Sequence, residues 1–204
     1  MLNKLKAIWR LIFPKEIPAP STPVEVKPYE PTTGKSIAVC LGHSFTGSDK
    51  GAYGNGTNEV EYNSWVMDYV QLQGLPNVSF HKGRNSVTAA LSAVGADIII
   101  QLHLNAYNGS AKGCEVLVVD GDTKSYPIAE KFSKEFTERF DRVMRRSYDQ
   151  GKKLLSSSDR GVSSLVACGD CEKILVEPFF IDNSSDFVAK EEYAEFLIEF
   201  IKGL

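Results

Sequence analysis

Three polar residues stand where buried apolar runs end. His43 follows Ser36–Leu41 (SIAVCL) and Gly42, His103 follows Asp97–Leu102 (DIIIQL), and Glu177 follows Ile174–Val176. Histidine is the side chain that works as a base or a metal ligand near neutral pH. Two histidines and one carboxylate, with a fourth position left open, form a donor set suited to hydrolytic zinc. A carboxylate for that set comes from a helix start, Thr57-Asn58-Glu59-Val60-Glu61. Asn58 is a good N-cap and Glu61 stands three residues on, the arrangement of a capping box. Glu61 is then occupied with the Asn58 backbone N–H, and Glu59 is free to face a site; the swapped assignment stays open. A second carboxylate beside such a centre takes a proton from water and hands it to a leaving nitrogen. Glu177 suits that task, because Pro178-Phe179-Phe180-Ile181 behind it would desolvate it and raise its pKa. Each residue also has a plainer reading. A histidine at a strand end can be hydrogen-bonded structure, and Glu177 can be a paired buried carboxylate. The spacing His43…Glu59…His103 is no compact metal motif.

The elements that must position these residues follow from apolar periodicity. Short apolar runs predict strands at Ser36–Leu41, Asn77–Phe80, Asp97–Leu104, Cys114–Val119 and Ile174–Val176. Helical spacing predicts helices over Glu59–Gln73, Ser86–Val94, Ile128–Val143 and Phe187–Ile201. Strands alternating with helices imply an α/β fold, a single three-layer domain with a mostly parallel central sheet and helices on both faces. In such sheets the carboxyl ends of parallel strands share one edge, where ligands bind. His43, His103 and Glu177 would meet there.

The chain has 204 residues with 43% hydrophobic and 24% charged, which fits one globular domain and excludes general disorder. A net charge of −3 argues against a broad nucleic-acid-binding surface. That charge is unevenly placed. Residues 1–15 carry Lys4, Lys6, Arg10 and Lys15 and no acid, so they are +4 and the remainder is −7. Residues 1–13 read as a basic amphipathic helix, with Leu2, Leu5, Ile8, Trp9 and Ile12 at helical spacing. It suits an anionic membrane or outer surface, or packs on its own domain. Residues 14–34 hold six of the nine prolines and read as a linker, leaving residues 35–204 as the folded domain. Four cysteines are too few for a disulfide scaffold. Cys168-Gly169-Asp170-Cys171 has the spacing of a redox pair or half a zinc knuckle. With no second pair nearby it reads as two reduced thiols, with a disulfide as the alternative outside the cytosol.

Local words add a family resemblance. Leu41-Gly42-His43-Ser44-Phe45-Thr46-Gly47, then Lys50-Gly51-Ala52 and Asn58-Glu59-Val60-Glu61-Tyr62-Asn63, resemble the opening of zinc-dependent N-acetylmuramoyl-L-alanine amidases. Gln101-Leu102-His103-Leu104-Asn105-Ala106 is similar to the second histidine motif, and Gly113-Cys114-Glu115-Val116 to the strand that follows it. Ile174 through Asn183 resembles the catalytic-glutamate segment of the phage and prophage branch. The words run in order across the whole domain. The resemblance implies one Zn²⁺ per chain on His43, Glu59 and His103, with Glu177 as the catalytic glutamate. It puts Asn105 beside the second histidine as support, and Asn105, Glu115 and Arg160 toward substrate. Arg160-Gly161 matches a pair in some phage-type members, where the arginine would meet a peptide carboxylate; as a solvated loop cation it has a plainer reading. Lys82 and Arg84 match the family's basic residues only loosely, and His81 has no place in the pattern and reads as structural. The implied reaction is hydrolysis of the amide joining N-acetylmuramic acid to L-alanine of the peptidoglycan stem peptide.

No clear signal peptide or appended wall-binding module is legible. The expectation is therefore a phage or prophage lysis enzyme, made in the host cytoplasm and acting on the cell wall, with peptidoglycan rather than nucleic acid as its partner. The rivals are a zinc peptidase cutting within the stem peptide and a non-catalytic wall-binding or virion module on the same fold.

Overall fold

The computed structural model describes residues 34–83, 95–145, 152–156 and 158–204. The predicted N-terminal helix, nearly all of the linker, the predicted helix over 86–94 and Arg84 lie outside the described residues.

In chain order the elements are β1 (Ile37–Leu41), β2 (Tyr53–Gly54), β3 (Thr57–Asn58), α1 (Glu59–Gln71), β4 (Val78–His81), β5 (Ile98–Leu102), β6 (Glu115–Val119), α2 (Tyr126–Phe140), β7 (Lys153–Leu155), α3 (Val162–Ala167), β8 (Glu172–Glu177) and α4 (Lys190–Lys202). Six strands form one sheet in the order β4-β1-β5-β8-β6-β7. β4, β1, β5 and β8 run parallel, whereas β6 is antiparallel to β8 and carries β7 alongside it. The parallel strands are therefore joined to a reversed pair at one side. The carboxyl ends of β1, β5 and β8 share an edge with the beginning of β6.

The sheet sorts side chains by alternation. Ile37, Val39, Leu41, Ile98, Ile100, Leu102, Val116, Val118, Ile174 and Val176 face the main core, where α1, α2 and α4 cover them. Aromatic edges meet faces in that core. Phe132 on α2 makes T-shaped contacts with Phe196 and Phe200 on α4, with centroids 5.2 and 5.0 Å apart. Each such pair adds about 0.5–1.5 kcal/mol beyond its buried area. On the opposite face Leu117, Leu155 and Leu175 pack against Val162 and Leu165 of α3. Ala38, Cys40 and Ile99 of that face lie against Cys168 and Cys171. All four cysteines are free thiols.

The boundaries differ from the periodicity for local reasons. β4 starts one residue late because Asn77 takes a left-handed turn at φ 58°. α2 begins earlier than predicted, with a proline in its first turn. It stops at Phe140 rather than Val143, because Asp141 is a left-handed cap whose N–H donates to Thr137 O. α4 starts at Lys190, leaving Phe187 to pack edge-on against Tyr62 and Phe179. The β2–β3 hairpin, β7 and α3 were not expected. Asn55 and Gly56 both have positive φ and close the hairpin, so the Asn-Gly pair was the available signal.

Candidate metal centre and its neighbouring carboxylate

β1 ends at Leu41, and Gly42 extends the pairing by donating its N–H to Leu102 O at 2.9 Å. His43 then takes a left-handed conformation at φ 59°, uncommon for a residue with a Cβ and of the kind that collects at functional sites. The loop holds it there. Asp49 places both carboxylate oxygens 3.0 Å from His43 Nδ1, and Lys50 Nζ donates to the carbonyls of Ser44 and Phe45. With Nδ1 engaged, Nε2 faces inward.

Glu59 is the first residue of α1, as the cap reading expected. Asn58 Oδ1 accepts the N–H of Glu61 at 2.9 Å. The returning carboxylate of Glu61 is bonded by the Asn58 side-chain amide, not its backbone N–H. Glu59 is thereby free of the cap and almost fully buried. Its Oε1 accepts the Ala52 N–H at 2.7 Å and its Oε2 accepts the Leu104 N–H at 3.0 Å. That same Oε2 lies 3.2 Å from His43 Nε2 and 3.3 Å from His103 Nδ1. The two imidazoles meet edge to face, with centroids 4.8 Å apart.

His43, Glu59 and His103 each offer one ligand atom, all within 4.8 Å of one another, the one such group among the described residues. A tetrahedral N/O site with bonds of about 2.0–2.1 Å has ligand–ligand edges of about 3.3 Å, which the two contacts to Glu59 Oε2 match. Two glycines allow the approach. A Cβ on Gly42 would lie 2.5 Å from the His103 ring, and one on Gly51, at φ 71°, would lie 2.7 Å from Glu59 Oε1 and His43 Cδ2. The donor set therefore fits a divalent metal.

The electrostatics fit as well. Burial opposes charge on Glu59, but hydrogen bonds from His103 and His43 win and hold its pKa down to about 2. Burial likewise opposes charge on His43, yet Glu59 and Asp49 bring its pKa up to about 9. Without metal, a proton takes the place of the cation between these carboxylates, and metal entry must displace it.

Glu177 ends β8 at the same edge. Burial first, and then the charges of Glu115 and Glu59, push its pKa up to about 7, against weaker opposition from Lys153 and His43. Its carboxylate accepts no hydrogen bond among the described residues. A carboxyl poised near neutrality with free lone pairs can both take and return a proton. Glu115 is its direct cross-strand partner and is ion-paired to Arg145.

A sequence profile described as N-acetylmuramoyl-L-alanine amidase matches residues 37–195. The chain belongs to this amidase family. It is thus an enzyme of the N-acetylmuramoyl-L-alanine amidase class, and every candidate site residue lies inside the matched span. No curated protein sequence matches the chain. Solved structures share the amidase fold. Cwp6 from Clostridium difficile aligns with a TM-score of 0.64 at 24% identity, over 83% of this chain and 28% of that one. The catalytic domain of the CD27L endolysin targeting Clostridia difficile aligns at 0.61 and 24% identity, over 83% of this chain and 97% of the other. The amidase Ami1 from Mycobacterium abscessus aligns at 0.66 with 12% identity, over 83% and 98%.

The remaining predicted residues of this amidase are placed as follows. Asn105 contributes backbone, donating its N–H to Phe179 O and accepting that of Ile181, which ties the loops after β5 and β8 together. Its side chain makes no hydrogen bond among the described residues. Arg160 is exposed in the turn before α3. His81 bonds Ser79 Oγ at 2.9 Å and stands outside the ligand group. Lys82 pairs with Asp68 at 2.7 Å. The partners of the histidines, Asp49 and Gln101, escaped the sequence reading, as did Arg145. Only Gln101 carried a signal, being a polar residue in a buried run two positions before His103, on the same strand face.

Proposed function

We propose that this amidase cleaves the amide between N-acetylmuramic acid and L-alanine of the stem peptide. In this reading His43, Glu59 and His103 hold one Zn²⁺ and Glu177 is the general base and acid. The convergence of His43 Nε2, His103 Nδ1 and Glu59 Oε2 beside a carboxyl with a raised pKa carries it. Bound there, zinc would polarise the scissile carbonyl and acidify water. Asp49 holds the His43 ring, and the backbone N–H groups of Ala52 and Leu104 hold the Glu59 carboxylate, so the donors are set before metal arrives. Glu177 takes the proton of the attacking water and returns it to the amine nitrogen as the C–N bond breaks. Arg160 and the Asn105 side chain are offered to the peptide, and Glu115 tunes Glu177.

The biological setting we propose is lysis by a phage or prophage, with action on the cell wall. The likeness to an endolysin catalytic domain over nearly all of that domain's length supports it. The +4 charge of residues 1–15 supports contact with an anionic membrane or outer surface. Mass spectrometry of digested peptidoglycan tests the reaction. Stem peptides with a free L-alanine amino terminus are expected, and their release should stop when zinc is chelated and resume when it is restored. Cleavage between amino acids of the stem would show a peptidase instead.

A further inference from the structure

We propose that Tyr53 and Tyr107 form a stacking platform for sugar rings of the glycan strand, on the acyl side of the scissile amide; this rests on the cleavage site proposed above. Tyr53 is 69% exposed and Tyr107 80%, the two most exposed large hydrophobic residues among the described ones. Neither side chain makes a hydrogen bond, ion pair or ring contact among the described residues. A single exposed tyrosine is ordinary. Two at the head of that order, on separate loops that leave one metal centre, call for a ligand.

Both loops pass the Glu59 carboxylate. Ala52, which donates its N–H to Glu59 Oε1 at 2.7 Å, is followed directly by Tyr53. Leu104, which donates to Oε2 at 3.0 Å, lies three residues before Tyr107. Backbone dimensions then keep the Tyr53 Cα within about 8 Å of that carboxylate and the Tyr107 Cα within about 16 Å. Beyond the centre, one segment holds both loops. Asn55 Nδ2 donates to Ile181 O at 2.7 Å, and Gly54 lies so close that a Cβ there would fall 2.2 Å from that oxygen. Asp182 Oδ2 accepts the N–H of Tyr107 at 3.1 Å and of Gly109 at 2.8 Å, and Asn183 Nδ2 donates to Ala111 O at 3.0 Å. The two tyrosines therefore project from fixed backbone, and little freedom is lost when a ligand stacks on them.

The chemistry of the scissile bond says what each side of the centre must meet. Glu177 returns its proton to the amine nitrogen, so the departing peptide lies toward β8 and β6. That end is ionic, with Glu115 paired to Arg145 and with Lys153 near enough to bear on Glu177. It suits a chain that ends in a carboxylate. The acyl half carries the sugar and lies on the other side of the metal, toward β1 and β5, whose following loops bear Tyr53 and Tyr107. A pyranose has hydroxyls around its rim and C–H groups on its faces. Such a face packs on the negative face of an aromatic ring while the hydroxyls stay in water, and a phenol adds a polar edge to the same ring. Neutral, unpartnered rings suit the sugar as the ionic end suits the peptide.

A peptide-free tetrasaccharide of alternating N-acetylglucosamine and N-acetylmuramic acid is the direct probe, titrated into the full chain and followed by NMR. The native chain should bind it, and Tyr53→Ala and Tyr107→Ala should each weaken binding by roughly 3- to 10-fold. Tyr53→Phe and Tyr107→Phe keep the ring and should stay within about twofold of native. In kinetics, kcat/KM for a peptide carried on the tetrasaccharide should exceed that for the same peptide on a single muramic acid, and both alanine variants should shrink that ratio. A native chain that does not bind the oligosaccharide, alanine variants that bind it as well as native, or phenylalanine variants as weak as the alanine ones would each overturn the platform. Weaker binding of sugar-free stem peptide by the alanine variants would also overturn it, since the rings would then meet peptide. A chain that cleaves no muramoyl peptide would defeat the cleavage reading above, and the oligosaccharide titration would still decide this one.

Discussion

Glu115 and Glu177 are directly paired across the antiparallel ladder of β6 and β8. Two carboxylates in register on one face of a sheet disfavour each other's ionisation. Arg145 pairs with Glu115 and its guanidinium lies over the Phe180 ring, 5.1 Å from the centroid. Glu177 has no ion-pair partner among the described residues, and its pKa is raised to about 7 by burial first and then by the charges of Glu115 and Glu59.

Glu177→Gln should keep the shape of the site and remove the proton carrier. Turnover is expected to fall by about 10²- to 10⁴-fold, with about one zinc per chain retained by elemental analysis. Loss of zinc in that variant would mean that Glu177 is a ligand.

The same substitution has a signature in stability. A carboxyl whose folded pKa is raised destabilises the fold once it ionises there. The penalty is absent below the unfolded pKa and complete above the folded one. Metal-free Glu177→Gln should therefore match the native chain near pH 4 and exceed it by about 1–3 kcal/mol above pH 8. Denaturant unfolding at the two pH values checks this.

Glu115→Gln removes a negative neighbour from Glu177. Its ionisation becomes easier, so the rising limb of the kcat/KM profile should move to lower pH. A shift of about half a unit to one unit is expected. An unmoved limb would show that Glu177 does not set the profile.

Gly51→Ala places a methyl 2.7 Å from both Glu59 Oε1 and His43 Cδ2, at a backbone φ of 71°. The carboxylate must give way or the loop must shift. Zinc affinity in chelator competition should fall by about 10-fold or more, with a small loss of stability, about 1 kcal/mol.

Deleting residues 1–30 removes the +4 leader and most of the proline-rich stretch. Hydrolysis of soluble muropeptides should persist, while binding to vesicles of anionic lipid should weaken. Equal loss of both would place the segment with the catalytic domain instead.

Much of the candidate site's placement could be read from the chain. The convergence of His43, His103 and Glu177 was legible because a polar residue closing a buried apolar run must emerge at a sheet edge, and parallel strands share that edge. The placement of Glu59 at the helix start was legible because capping grammar occupies Glu61 and leaves its neighbour free. These are local rules, satisfied within a few residues of backbone. The partners were not found, because they are joined through space. Asp49 reaches His43 across a loop whose conformation depends on a left-handed histidine. Ser164 reaches Gln101 from a helix 63 residues away.

The sequence alone determined which side chains end the strands, where α1 begins, and that strands and helices alternate around a single core. Those follow from hydrophobic periodicity and from the needs of an unpaired helix end. Only the tertiary structure decided strand direction. β6 runs against β8 because nothing in an apolar run of five residues encodes its partner or sense; packing and connection geometry do. That reversal puts the first residue of β6, not its last, beside the end of β8. It thereby sets Glu115 against Glu177, where its charge adds to burial, the larger cause, in raising the Glu177 pKa to about 7.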